Sequence, residues 1–196
     1  MKIMYPTFIR RALSVAALTF MTADFAVGGE STAFDLIKEG NRYVGEPSKD
    51  KLVQIRSEKS IGTLTPNIWY VVFYDADATF KATEVKFGAG QKLKVTRPFR
   101  VLERGSGEYK SLDRSKLKTD SDEAIKVATA EPLLKALTLK ATQLWLERGE
   151  EGPEWRVRLW AAKLKHPNDQ ADIGEVHISA GSGKVLRSDL HINRVD

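Results

Sequence analysis

The chain carries EVKFGAG at residues 84–90 and EVHISAG at residues 175–181, and a second alternating run follows each segment. Both segments alternate apolar and polar side chains up to a pair of small residues, which is typical of a strand that enters a tight turn. Two such hairpins, one in each half of the chain, predict one supersecondary unit that is used twice. This repeat indicates the architecture before any single side chain is interpreted.

A helix start precedes each set of strands. Thr32 is suited to cap a first helix with Asp35 in its first turn, and Gly40 is suited to end it. Asp120 is suited to cap a second helix, with Glu123 placed to reach back to the cap. The sequence therefore predicts two short helices, one at the head of each unit.

Strand-like runs follow both helices, and we predict an α+β fold of two tandem repeats. Each repeat is expected to be a short helix packed on an antiparallel sheet of about four strands, with the two sheets joined through the connector. Trp69 and Trp155 head equivalent strands and are expected to lie between sheet and helix. The predicted segments are a signal peptide (1–28), a first repeat (29–98), a connector or edge strand (99–119) and a second repeat (120–196).

The N-terminus is typical of a secretory signal peptide. Lys2, Arg10 and Arg11 precede an apolar run, and small residues follow it. The run has about half of the ~20 residues that a membrane-spanning helix needs. We therefore expect cleavage after Gly28 or Gly29 and export to the periplasm or the extracellular space. An uncleaved anchor and a buried N-terminal helix are the alternatives.

Composition narrows the possible functions. The formal net charge of +5 falls to +3 without residues 1–28, which hold three basic residues and one acidic residue. This small excess gives no support to nucleic-acid binding. The chain has no cysteine, which excludes disulfides, thiolate metal sites and cysteine nucleophiles. With 42% hydrophobic residues, the exported chain is expected to be stabilised by its own core.

The second unit resembles a PepSY-type domain. The likeness lies in DEAIKVA at 122–128, WRVRL at 155–159 and EVHISAGSGKVL at 175–186, and it covers residues 120–196. The first unit, residues 32–96, resembles a degenerate copy with Gln91 where the turn residue Gly183 is expected. The resemblance implies a non-catalytic module of exported or envelope proteins that binds or restrains peptidases or other partners. The family has no catalytic residues to carry over.

Residues able to support chemistry do not form a recognisable set. His177 and His191 alternate with apolar residues near the end of the chain, so we expect exposed imidazoles on the polar side of the last hairpin. A metal site that combines both histidines with Glu175 is the alternative. Ser182 stands in a glycine turn and not in the strand-to-helix turn that a serine nucleophile needs. We therefore predict no catalytic residue, metal or cofactor, and not an enzyme.

Two binding hypotheses remain, with a cleft enzyme as a third. The first is a protein-binding or inhibitory module whose contact residue is Trp160, which is out of phase with the apolar Val157 and Leu159. The second is a binder of an anionic small molecule or envelope polymer through the basic connector, with Arg97, Arg100 and Arg104 as contacts. We expect another envelope protein as the partner, with no nucleic acid and no membrane span after cleavage. The sequence leaves the oligomeric state open.

Overall fold

A computed structural model of the chain describes residue 1, residues 31–98 and residues 110–196. Apart from residue 1, the predicted signal peptide (1–28) lies outside the described residues, as do Arg100 and Arg104. None of the helices among the described residues is long and apolar enough to cross a membrane.

Capping side chains determine where both α-helices begin. Helix α1 spans Ala33–Gly40, and Thr32 Oγ1 accepts a hydrogen bond from the Asp35 N–H at 3.4 Å. Helix α2 spans Ser121–Thr129, and Asp120 Oδ1 accepts from the Ser121 N–H at 2.6 Å. Both predicted caps are confirmed. Glu123 differs from the prediction, since its carboxylate lies 3.4 Å from Lys126 Nζ within the helix.

The described residues form eight strands, in stretches where β-branched and aromatic residues alternate with polar ones. The first half contributes β1 (Leu52–Ser57), β2 (Ile68–Tyr74), β3 (Ala82–Gly88) and β4 (Gln91–Thr96). The second half contributes β5 (Leu139–Arg148), β6 (Pro153–Ala162), β7 (Gln170–Ser179) and β8 (Val185–Leu190).

A turn determines where β3 begins. The strand starts at Ala82 because this turn occupies the preceding residues. In that turn the Lys81 backbone has a φ of 54°, and its N–H donates to the Ala78 carbonyl at 2.9 Å. The chain therefore reverses before the strand can start.

The strands form a single antiparallel sheet in the order β4-β3-β2-β1-β5-β6-β7-β8. The first strand of each half lies at the centre, where Ile55 pairs with Leu146 and Arg56 pairs with Trp145. The sheet is thus continuous through β1 and β5, whereas the sequence suggested continuity through the connector. The described connector residues include a 3-10 turn at Arg114–Lys116. The α+β class with two helices and an antiparallel sheet is confirmed.

Both α-helices contribute to a core on one face of the sheet. Leu36 of α1 and Ala124 of α2 belong to the same cluster of buried apolar side chains as Val71 and Val157. Trp69 and Trp155 are 2% and 0% exposed, which confirms their predicted burial. The main core lies on one side of the sheet, so alternation sends every other strand residue to the opposite side, where Val53, Val72 and Ala82 form a smaller buried cluster.

Candidate functional site: the polar face of the sheet

A continuous row of cationic and aromatic side chains crosses the sheet on the side away from α1 and α2. We call this side the polar face. Each member pairs directly with its neighbour on the next strand, so the row follows from the register alone. In sheet order the row consists of Lys94, Lys86, Tyr70, Arg56, Trp145, Arg156, His177 and Arg187.

Cations lie over the aromatic rings of this row. The Arg56 guanidinium carbon is 4.1 Å from the centroid of the Tyr70 ring, and Lys86 Nζ is 5.0 Å from the same centroid. The Arg156 guanidinium carbon is 4.2 Å from the centroid of the Trp145 ring. These distances are within the range in which a cation is attracted to the face of an aromatic ring. Both rings are half-buried, in contrast to the fully buried aromatic side chains of the core.

Carboxylates from adjacent rows neutralise these cations. Arg156 Nε lies 3.1 Å from Glu147 Oε1, and a second guanidinium nitrogen lies 3.4 Å from Glu175 Oε2. Arg56 forms an ion pair with Glu84 on the other half of the sheet. The Arg156 side chain is only 12% exposed. Charge-assisted contacts thus hold the guanidinium groups of the polar face in fixed positions.

Gln54 joins the two halves at this network. Its Nε2 donates to Glu147 Oε2 at 3.1 Å, which links β1 to β5. Its Oε1 is buried without a hydrogen-bond partner in the described part of the chain. The Gln54 side chain therefore uses a donor of its amide, and its amide oxygen accepts no hydrogen bond from the described residues.

His177 is buried, which corrects the prediction of an exposed imidazole. It does lie on the polar side of the hairpin, but the residue is only 6% exposed. Nδ1 is 3.1 Å from Glu154 Oε1, and Nε2 is 3.2 Å from Glu175 Oε1 and 2.9 Å from an Arg187 guanidinium nitrogen. Arginine only donates, so the Arg187 contact needs an accepting Nε2, whereas a hydrogen bond to Glu175 needs a hydrogen on Nε2, and one neutral tautomer makes one of the two. The side chains from three strands cover the ring, and this follows from register and not from local sequence.

A cleft of about 530 Å³ opens beside this histidine. Its walls combine both signs of charge and one apolar side chain. The lining residues are Arg148, Gly149, Glu150, Glu151, Glu154, His177, Leu186 and Arg187. The other two histidines, His166 and His191, are exposed. The described residues contain no group of His, Asp and Glu side chains that could hold a metal ion.

Trp160 lies on the polar face, out of phase with the buried Val157 and Leu159 as predicted. Its half-buried ring has Lys59 Nζ at 4.6 Å and the Arg158 guanidinium carbon at 5.6 Å from its centroid. A cation from β6 and one from the segment after β1 thus flank a single ring.

Asp172 pairs with Trp160 across β6 and β7 and fixes the neighbouring Arg158. Two opposing effects act on the pKa of the Asp172 carboxyl, and burial is the one that raises it. Hydrogen bonds from Arg158 and from the Gly174 backbone N–H, together with the charges of Arg158 and Arg194, outweigh burial and hold that pKa below its usual value. An ionised Asp172 therefore anchors the cation beside Trp160.

Arg97 is separated from Trp160. It follows β4, whereas Trp160 lies on β6, and four strands of the sheet stand between them. Arg97 Nε lies 3.0 Å from Asp75 Oδ2, and Arg114 is paired with Asp50. The structure therefore does not bring Arg97 and Trp160 into one site. Arg100 and Arg104 fall in the stretch 99–109, outside the described residues.

Sequence reasoning missed most of the polar row. Alternation along each strand predicts that Tyr70, Arg56 and Arg156 lie on the side opposite the core. Alternation does not predict which residues lie beside them on the next strand, because that depends on the pairing of β1 with β5. Comparisons of this chain with models of protein families, with curated proteins and with solved structures found no match.

Proposed function

We propose that the protein is a non-catalytic, exported binding module that docks another envelope protein on its polar face. The observation that carries this proposal is that the half-buried rings of Tyr70, Tyr74, Trp145 and Trp160 each have at least one cation over them. Tyrosine, tryptophan and arginine are the side chains that contribute most to protein–protein interfaces. The polar face thus has the composition of a binding surface for a protein.

The ordered state of the polar face supports binding. Association costs about 0.5–1.5 kcal/mol for each rotamer-rich side chain that becomes immobilised. Arg56, Arg156 and Arg158 are already held by carboxylates, so that cost is reduced. Glu147, Glu154, Glu175 and His177 contact one another or arginine, and these contacts help to order the surface that we propose binds a protein.

We also infer that the fold consists of two copies of one unit, residues 29–98 and 120–196, related by an axis near the Arg56–Trp145 pair. Three features support this inference. The sheet order is the same read outward from the centre in both directions. The last hairpin of each unit has an irregularity at the same place, after Lys86 and after His177. Trp69 and Trp155 each donate an indole hydrogen bond to a backbone carbonyl at 2.8 Å.

The PepSY likeness and export remain predictions from the sequence. If they hold, the partner is a peptidase or another protein of the cell envelope, and the module restrains or regulates it. Signal cleavage after residue 28 or 29 is measured directly by N-terminal sequencing of the mature chain, and an intact N-terminus on the exported product would contradict it.

The alternative, an anion binder through the basic connector, has less support. Its described arginines, Arg97 and Arg114, each face a carboxylate. This alternative requires salt-dependent retention on an anionic matrix that is lost when Arg100→Glu and Arg104→Glu are combined. Retention unchanged by that double substitution would remove it.

An affinity pull-down from a cell-envelope extract tests the proposed function. The wild-type chain is expected to enrich a defined partner, and Trp160→Ala is expected to reduce its recovery at least about tenfold, as for a hot-spot residue. Lys126→Ala is the matched control, because Lys126 is 77% exposed on α2, away from the polar face. Circular dichroism verifies that both variants fold. Equal recovery by wild type and Trp160→Ala, or no enriched partner, would contradict the proposal.

A further inference from the structure

The outer strand β8 exposes an edge of the sheet. Within residues 31–98 and 110–196 it pairs only with β7. Its first five residues are exposed, including Val185 and Leu186 at 39% and 44%. An edge strand presents a row of backbone donors and acceptors to which another strand can pair.

The direction of the β8 backbone groups follows from one hydrogen bond. The His191 N–H donates to the Ile173 carbonyl at 2.8 Å and therefore points toward β7. Backbone groups of an antiparallel strand alternate in direction. Those of Arg187 and Asp189 consequently face β7, and those of Ser188 and Leu190 face outward.

We propose that β8 pairs with β8 of a second copy of this chain, antiparallel and centred on Ser188. In this register the two Ser188 residues exchange backbone hydrogen bonds, which their outward-facing groups permit. Arg187 of each copy then lies opposite Asp189 of the second copy. The segment RSD at 187–189, which follows the irregular pairing at Leu186, is thus complementary to itself in charge. This inference is independent of the proposed docking on the polar face.

This contact exchanges an ion pair that β8 already forms within itself, and Arg187 also contacts His177 Nε2. Arg187 Nε and Asp189 Oδ2 lie 2.6 Å apart within one strand, with side chains 61% and 48% exposed. Directly opposite positions in an antiparallel pair bring Cβ atoms within about 5 Å, closer in pairs without backbone hydrogen bonds. Two ion pairs therefore form across the interface, on the same side of the sheet.

The opposite outer strand, β4, has a pattern that disfavours the same contact. Centred on Val95, the position equivalent to Ser188, antiparallel self-pairing brings Lys94 of one copy opposite Thr96 of the other and forms no ion pair. Lysine on an edge is a common protection against pairing. The contrast between the two outer strands makes β8 the edge that accepts a second copy.

Cysteine cross-linking tests the register, since the chain has no native cysteine. Ser188→Cys places two thiols at a pair whose Cα separation of about 5.5 Å suits a disulfide. We expect Ser188→Cys to form a covalent dimer under mild oxidation, and Ser182→Cys, exposed in the turn before β8, to remain largely monomeric. Equal cross-linking at both positions would overturn the register.

Mass measurements by analytical ultracentrifugation test the contacts. Wild type is expected to dimerise reversibly, and Asp189→Arg to raise the dimer dissociation constant about tenfold or more by setting arginines opposite each other. Combining Arg187→Asp with Asp189→Arg restores opposite charges and should restore dimerisation. Ser188→Pro removes an outward N–H without breaking a β7–β8 hydrogen bond, so it should fold as a monomer.

Three outcomes would overturn the proposal. One is a wild-type chain that stays monomeric at every accessible concentration. Another is a dimer that Ser188→Pro leaves intact, since that dimer uses another surface. The third is a wild-type chain that is monomeric but captures a separate protein, and a Ser188→Pro variant that no longer captures it. That result would show that a strand of the separate protein occupies the β8 edge.

Discussion

Gly174 illustrates how one backbone conformation shapes the polar face. Its φ of 105° is disfavoured for any residue with a side chain, and a Cβ at this position would overlap the backbone oxygen of Asp189 on β8. The irregular pairing beside it brings Asp172 opposite Trp160. The glycine therefore supports both the β7–β8 contact and the surroundings of Trp160.

Replacing Gly174 by alanine is expected to destabilise the fold by about 3 kcal/mol or more, because strain adds to a backbone overlap. Gly62→Ala is the matched control, since Gly62 also has a positive φ of 76° but has open space around it. Strain alone should cost the control about 1 kcal/mol. Urea unfolding of both variants measures the difference, and equal losses would contradict the role assigned to Gly174.

Asp75 is the residue from which we expect acid sensitivity. Burial raises the pKa of its carboxyl, but hydrogen bonds from Thr83 and the Asp77 N–H, together with Arg97, reverse the effect and hold that pKa below its ordinary value. A depressed carboxyl pKa stabilises the fold above the unfolded-state value of about 3.9. This contribution is lost as the pH falls through the lower, folded-state pKa.

Asp75→Asn should therefore lower the free energy of unfolding at pH 7 by about 2 kcal/mol. It should also weaken the loss of stability between pH 5 and pH 2 relative to wild type. Chemical denaturation across this pH range measures both effects. Asp77→Asn, an exposed neighbour in the same turn, is the control. If the free energy of unfolding of Asp75→Asn falls with pH as steeply as that of wild type, other carboxylates determine the acid sensitivity.

At the scale of elements, the two α-helices meet at their capping residues. Asp120 Oδ1 accepts from the Ser121 N–H of α2 and also from the Phe34 N–H of α1 at 3.1 Å. Ser121 Oγ accepts from the Ala33 N–H at 3.0 Å. One cap thus serves the N-termini of both helices, which fixes them relative to each other.

Asp120→Ala is consequently expected to cost about 2 kcal/mol, because it leaves donors of two helices without a partner. Thr32→Ala removes the cap of α1 alone and should cost about 1 kcal/mol or less. Thermal unfolding of both variants shows which one loses more stability. A larger loss for Thr32→Ala would contradict the shared cap.

Some features of these helices and strands could be predicted from the sequence, and others could not. Thr32 and Asp120 were recognisable because a cap depends on residues three or four positions away. Strand identity was recognisable from alternation, and so was the outward side of Trp160. The shared cap, the pairing of β1 with β5 and the burial of His177 depend on contacts distant in sequence. Such contacts leave no local pattern, so the polar row became visible only through the register.

At the scale of the whole molecule, the larger of two buried apolar clusters spans both halves of the described chain. Ile55 and Leu146 pair at the centre of the sheet, are fully buried and belong to a cluster that contains residues from both halves.

We expect one cooperative unfolding transition, with calorimetric and van't Hoff enthalpies that agree. Leu146→Ala should lower the free energy of unfolding by about 3 kcal/mol without splitting the transition. Leu164→Ala, 62% exposed, should change it little. Two separate transitions in the calorimetric scan would show that the halves fold independently.

Photo-cross-linking in the producing cells tests the proposed docking of a protein partner on the polar face. A photoreactive phenylalanine analogue is introduced at position 70 or 160 on the polar face, or at position 126 on α2. We predict one adduct of the same mass from positions 70 and 160, with the same partner identified by mass spectrometry, and none from position 126. Adducts from position 126 alone, or from all three positions equally, would contradict the claim.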